Sequence, residues 1–309
     1  MIIIMNPYAG GGTAEKKWSR IADTIASNYP GFRLVRCESQ YSAWKHISAL
    51  LATGETEFVA AGGDGTVNAL VNSIMICAEP AKLEQVRFGA LGLGSSNDFH
   101  KPFCAEKMIR GIPCSIDFRN PLTRDIGRLT FDQNGNAITK YFLINASLGI
   151  TAEANSFFNN PDSILRILKH TSTPVSILYA ALRTMLFYDN KELTISSEEY
   201  GTRLVEVTNF GIVKNPHFSG SFHFPGNADY RNGKFSIHLF RNMTRMELLR
   251  LMRILSNGAA PDSSKAESWT SSSLTVTCEQ PFAVEFDGEV IRTSRVEFGI
   301  MKQALRVCP

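Results

Sequence analysis

Three short stretches hold the residues of this sequence best suited to chemistry. AGGDGTVN (61–68) sets Gly62, Gly63 and Gly65 around Asp64, and a helix-like pattern follows at once. Glycine removes the Cβ, so main-chain N–H groups converge in such a loop and a ligand can come close to the backbone. A helix opening near Thr66 aims its positive end at the same place. Phosphate suits that site. Asp64 would repel a bare phosphate, so its presence points to a divalent cation between them, because Mg²⁺ favours one or two carboxylates together with water and phosphate oxygens. NPYAGGG (6–12) and GLGSSNDF (92–99) are the other two stretches, and the second of them carries Asp98.

The elements that must position these loops can be read from the pattern around them. Apolar runs at Ile2–Met5, Arg33–Cys37, Glu57–Ala61 and Arg87–Leu91 alternate with helix-like runs at Ala14–Tyr29, Ala43–Leu51 and Val67–Cys77. This alternation predicts a mostly parallel sheet with helices on both faces. Each of the three loops then follows a strand and leads into a helix. In an open parallel sheet such loops share the rim at the carboxyl ends of the strands, where ligands bind. After about residue 118 the texture changes. Strand-like runs at Arg128–Phe131, Lys140–Asn145, Glu192–Ser196, Arg203–Asn209, Lys234–Leu239 and Leu274–Cys278 are separated by turn sequences such as DQNGN and YRNG. Helical pieces are expected at Ile164–Tyr188 and Arg245–Ser256. The second part therefore reads as a mainly antiparallel β domain.

Composition narrows the class further. The 309 residues are 44% hydrophobic and 20% charged, enough for two domains, and a net charge of +3 gives no basic body for nucleic acid. Six cysteines fall in no C-x-x-C pair and read as reduced thiols. The opening apolar run lacks a basic flank and reads as a strand rather than a leader. The most apolar later stretch, Ile177–Tyr188, is interrupted by Arg183 and is too short to span a bilayer. A cytoplasmic protein is expected.

NPxxG, GGDGTxN and S-x-N-D, in that order, with DGE near the C-terminus, resemble the diacylglycerol kinase catalytic-domain family, which includes bacterial lipid kinases and the sphingosine and ceramide kinases. NASLGI (145–150), ILYAALRTMLFY (177–188), VEFDGEVI (284–291) and the closing ALRVCP also look like family segments. The resemblance implies an α/β nucleotide domain over 1–118 and a β-sandwich substrate domain over 119–296, with residues 297–309 returning to the first domain and the site in the cleft between them. It implies ATP and Mg²⁺ as cofactors and a lipid alcohol as substrate. A peripheral membrane surface is then the expected partner, and a homodimer is allowed.

By motif position, Asp287 of DGE would be the catalytic base, with Glu289 beside it. Asp64, Asp98 and Asp125 of TRDIG would organise the metal, partly through waters. Nucleotide contacts would come from Asn6, Pro7, Tyr8, Ala9 and Gly10, from Gly63 to Asn68 (Gly65, Thr66 and Val67 included), and from Ser95. Some positions depart from the pattern. Ala69 stands where a Glu is usual, Ser95 replaces a threonine, and Lys101 supplies charge where an arginine is common. In YRNG (230–233), Arg231 and Asn232 stand where the family has acids, which argues against a structural metal there.

Phosphoryl transfer asks for alignment of a hydroxyl with the γ-phosphate and for neutralisation of spreading charge. VEFDGEVI reads as a hairpin with Asp287–Gly288 at its tip, a turn that holds a carboxylate at a fixed point. On this reading Asp287→Asn nearly abolishes turnover and leaves the fold intact. Arg241, Arg245, Arg250 and Arg253 could face anionic headgroups or simply solvent. Two other readings stay open: an NAD-kinase-like phosphotransferase, and a non-catalytic nucleotide- or lipid-binding regulatory protein.

Overall fold

Ile2, Ile3, Ile4 and Met5 are buried in succession, as a strand covered on both faces must be. In the computed structural model, which describes residues 1–37, 40–101, 107–226, 229–261 and 263–309, this run is strand β1 (Ile2–Met5). Cys104 lies outside the described residues; the other five cysteines form no disulfide among the described residues. The chain divides into two compact units, Met1–Ile126 with Lys302–Pro309, and Gly127–Met301.

In the first unit β1 is followed by one turn, α1 (Ala9–Gly12), then α2 (Ala14–Asn28), β2 (Arg33–Arg36), α3 (Gln40–Ala52), β3 (Glu57–Gly62), α4 (Asp64–Cys77), a short α5 (Pro80–Leu83) and β4 (Arg87–Gly92). Strands β2, β1, β3 and β4 pair in that order and all in parallel, with Ile2 opposite Arg33 and Phe58, and Glu57 opposite Arg87. Helix α2 buries Ala14, Trp18, Ile21 and Ile25, the spacing of one helical face. The far edge of β4 is shared. Strand β6 (Ile112–Ser115), in a hairpin with β5 (Met108–Ile109), runs antiparallel to it at Ala90 and Leu91. The last residues of the final strand, β17 (Glu289–Val307), run parallel to it, Arg306 opposite Arg87 and Val307 opposite Phe88.

The second unit is antiparallel. Strand β7 (Leu122–Gln133) turns at Asn134–Gly135, both at positive φ, into β8 (Asn136–Phe142), as a two-residue hairpin requires. There follow β9 (Asn145–Gly149), α6 (Ile150–Asn159), α7 (Ser163–Thr171), α8 (Thr173–Phe187), β10 (Lys191–Ser197), β11 (Gly201–Val213), β12 (His217–Phe218), β13 (Phe222–His223), β14 (Phe235–Arg241), α9 (Arg245–Ser256), β15 (Ala266–Ser271) and β16 (Ser273–Phe286). These strands join edge to edge, apart from the β12–β13 ribbon, in a sheet whose two ends face each other where Phe142 of β8 stacks on Phe235 of β14 at 5.7 Å. The reason is length. Strand β11 pairs with β10 along one half and β9 along the other, and β16 does the same. Phe142, Phe210, Phe235, Phe282 and Phe298 fill the core of this unit.

Two helical details differ from expectation. The single piece expected over 164–188 is two helices, broken at Ser172, because Pro174 fits only the first turn of a new helix. Helix α6 was not anticipated; it starts directly after Gly149, which sits at φ 86 against the Thr208 carbonyl.

Candidate functional site: glycine loops and a braced acidic hairpin

The three small-residue loops leave the carboxyl ends of β1, β3 and β4 and touch one another. The Gly62 carbonyl accepts the N–H groups of Leu93 and Gly94, at 2.9 and 3.0 Å. A Cβ on Gly94 would lie 2.3 Å from the Gly63 Cα, and one on Gly10 would lie 2.8 Å from the Leu93 carbonyl oxygen. No side chain fits at these crossings, so the glycines are what let the three loops share one point. Gly10, Gly11 and Gly12 take φ values of 62, 68 and 85, a left-handed run that other residues resist. Asn6 Oδ1 accepts the Tyr8 N–H and closes the start of that loop.

Gly63, extended, caps α4, and Asp64 is its first residue. The opening turn of a helix carries N–H groups without intrahelical acceptors and the positive end of the dipole. Asp64 Oδ1 accepts the Phe99 N–H at 3.0 Å, which ties this helix start to the 92–99 loop and brings Asp64 beside Asp98. Asp98 is buried and forms an ion pair with Lys101. Asn97 braces its own loop, accepting the Gly94 N–H and donating to the Gly92 carbonyl. Ser95 is exposed, whereas Val67 and Asn68 are buried, so what those two can offer a ligand is main chain.

Asp125 lies on β7. Neighbours on a strand point to opposite faces: the Arg124 guanidinium lies over the Phe99 ring at 5.6 Å, and Asp125 Oδ1 accepts the Gln303 N–H at 2.9 Å. Among the described residues no three acidic, histidine or cysteine side chains gather as a group able to hold a metal. The trio Asp64, Asp98 and Asp125 is therefore not a protein-only cage; any Mg²⁺ here would complete its shell with water and phosphate oxygens.

Lys17 was missed in the sequence. Its ammonium reaches from α2 to the carbonyls of Leu93 and Gly94, at 3.1 and 2.5 Å, and burial, with Arg20 nearby, lowers its pKa. The available signal was a lysine in the first turn of a helix, where the dipole disfavours a cation. His100 is also buried, bonded to Ser115 Oγ, and burial together with Arg124 pushes it down to about 3, so it is neutral.

The second unit holds the acidic hairpin. Asp287 (φ 47) and Gly288 (φ 93) form the two-residue turn between β16 and β17, with Phe286 opposite Glu289. The Asp287 carboxylate is 3% exposed. Its Oδ2 accepts the Leu143 N–H at 2.8 Å, and Oδ1 accepts those of Ile144 and Asn145 at 2.9 and 3.1 Å. Two residues earlier on the same face, buried Glu285 accepts the Ser147 hydroxyl and the Gly288 N–H, both at 2.7 Å. The turn is thus braced from two sides. Glu289 is half-buried.

In the YRNG loop Asp229 Oδ1 accepts the N–H groups of Arg231 and Asn232. The buried Lys214 ammonium donates to Asn232 Oδ1 at 3.2 Å and the Lys234 carbonyl at 2.9 Å. The loop is thus served by a cation of the chain itself.

With this geometry in view, the resemblance read from the motifs is borne out: residues 1–121 match the family model of the diacylglycerol kinase catalytic domain. No curated protein matches the chain. Among solved structures, one from Bacillus anthracis str. Sterne with a provisional diacylglycerol kinase assignment superposes with a TM-score of 0.72 at 16% identity, covering 99% of this chain and 96% of that one. A diacylglycerol kinase from the same strain gives a TM-score of 0.69 at 14% identity, with 99% and 95% covered. At these identities the likeness is one of fold: two units, the second built on a large antiparallel sheet.

Proposed function

We propose that this protein is an ATP-dependent kinase that phosphorylates a hydroxyl of a lipid alcohol, diacylglycerol-like or sphingoid-like. One observation carries the reading: three glycine-bearing loops meet without side chains between them at the start of α4, beside Asp64 and Asp98. That cradle suits a triphosphate. Its donors would be main-chain groups of Asn6 to Gly10 and Gly63 to Asn68, with the exposed hydroxyl of Ser95. Mg²⁺, held by Asp64, Asp98 and Asp125 partly through water, would supply neutralisation of phosphate charge when bound.

The chain's own part is placement. The loops fix the phosphate tail against a helix N-terminus, which stabilises negative charge without reorganising during the reaction. Asp287 takes the proton of the acceptor hydroxyl, with Glu289 beside it. Three main-chain N–H groups hold the Asp287 carboxylate in place. Transfer through a loose transition state asks for a well-placed acceptor of the proton more than a strong one. The same proposal has the enzyme working in the cytoplasm at a membrane surface, where its acceptor is dissolved. Among the described residues no helix is long and apolar enough to cross a membrane.

The test is transfer of label from γ-³²P-ATP to a panel of diacylglycerols, sphingoid bases and ceramides, with and without Mg²⁺. Mg²⁺-dependent labelling of one lipid class is expected. ATP binding with no labelled lipid in any class rejects the proposal.

A further inference from the structure

Among the described residues, most large apolar side chains that stand in solvent belong to three helices of the second unit, α7, α8 and α9. Helix α8 has two apolar faces. Ser176, Ala180 and Met185 are buried inward, while Val175, Leu178, Leu182 and Leu186 recur at helical spacing on the outside. Phe187, at the end of that helix, is 74% exposed, and Ile167 on α7 is 65% exposed. Helix α7 packs on α8, and α8 on α9. Helix α9 buries Leu248, Leu251 and Leu255 and turns Arg245, Met246, Leu249, Arg250 and Arg253 outward. An outward apolar stripe of this extent marks an interaction surface.

The charge on these helices selects the partner. Residues 163–188 contain Arg166, Lys169 and Arg183 and no acid; of the acids that flank them, Asp162 pairs with Arg183 at 3.4 Å and Asp189 is exposed, and Lys169 donates to the Phe158 carbonyl. The one acid of α9, Glu247, is taken by its own N-cap and by Lys265. A second copy of the chain seated on this face would bring the same arginines against their equivalents, with one exposed acid, Asp189, beside α8 to set against them. A bilayer with anionic headgroups meets both properties at once: arginines at the phosphate level and apolar side chains at the acyl boundary.

We infer that the outward faces of α7, α8 and α9 form the surface by which this protein docks on an anionic membrane. The inference rests on the lipid-kinase reading for its purpose, since an acceptor dissolved in a bilayer must be met there. Its physical basis is independent of catalysis.

Co-sedimentation of the full chain with phosphatidylcholine vesicles, with and without phosphatidylglycerol, tests it. Binding is expected with the anionic vesicles, weakening with salt. The double variants Leu182→Glu/Leu186→Glu and Arg250→Glu/Arg253→Glu should each lower the partition coefficient about tenfold or more. Phe187→Trp gives a readout that needs no loss of stability: its emission should shift to the blue on anionic vesicles relative to the parent. Unchanged partitioning in folded variants, or no spectral shift, overturns the inference. Light scattering that shows a dimer dissolved by Leu182→Glu/Leu186→Glu, with no vesicle binding, overturns it in favour of a contact between copies. Phosphoryl transfer to a short-chain acceptor in detergent is measured alongside. Transfer without vesicle binding removes the surface alone, and vesicle binding without transfer removes the kinase reading alone.

Discussion

Asp287 and Asn145 hold each other by their main chains and one carboxylate: the Asp287 N–H donates to the Asn145 carbonyl at 3.1 Å, and the Asn145 N–H returns to Asp287 Oδ1 at 3.1 Å. With the Leu143 and Ile144 N–H groups on the same carboxylate, the residue at the hairpin tip is also an anchor for the chain entering β9.

These bonds add a cost in stability to the expectation for Asp287→Asn. The amide keeps one acceptor and turns an NH₂ towards N–H donors, and a buried unpaired donor costs about 1–3 kcal/mol. The expected result is loss of nearly all turnover together with a lower midpoint in chemical denaturation. Loss of turnover at unchanged stability would mean that the three N–H bonds contribute little.

Gly94 is where two loops cross. A Cβ there meets the Gly63 Cα at 2.3 Å, a backbone atom that cannot step aside. Gly94→Ala should therefore spread the cradle and weaken ATP binding by at least about tenfold, by analogy with other small misplacements of a site. Isothermal titration reads this directly, and wild-type affinity would separate the cradle from the nucleotide.

Acid should weaken the protein through two histidines. Burial, aided by Arg124, holds His100 at about 3, and burial holds His238 at about 4. Both stay neutral in the folded chain, while the unfolded chain takes up protons below about 6.5. Stability is complete above that pH and falls as the pH drops, until His238 protonates in the folded state near 4 and His100 near 3. Denaturation midpoints measured across this range should decline, and His238→Gln should flatten the upper part of the decline. An equal slope in that variant assigns the acid loss to other groups.

Lys214 makes a prediction about metals. It is buried, and its ammonium serves Asn232 and Lys234. Lys214→Met removes two charge-assisted hydrogen bonds, although Asn232 Oδ1 keeps the Lys234 N–H, and should cost about 1–3 kcal/mol. Added Mg²⁺ should not restore the lost stability, because Asn232 stands where an acid would be needed. Full rescue by Mg²⁺ in a thermal melt would contradict this.

Much of the first unit was legible because local signals agree there. Ile2–Met5 is one apolar run with glycine after it, and the strand has those bounds. The hairpin at Asp287–Gly288 was legible for the same reason, since D-G fits a turn with two positive φ values. Side-chain commitments were not legible. Nothing local says that Asp64 will meet the Phe99 N–H or that Asp125 will meet Gln303 across 178 residues. Lys17 sits 76 residues from the carbonyl it reaches. Glu285 reads as an ordinary strand residue until Ser147 and Gly288 close on it. Such pairings are products of the fold, so motif spacing names the acids but not what they hold.

The far edge of β4 has a consequence for how the molecule is made. Its first half is covered by Arg306 and Val307, and the Cys308 N–H donates to the Phe88 carbonyl. While the ribosome is still building the second unit, that edge is bare backbone beside a finished parallel core. The first unit therefore reaches its native hydrogen bonding only after the second unit has been translated. A nascent chain stalled before residue 302 should carry the glycine loops and still expose Phe88 to protease or chaperone.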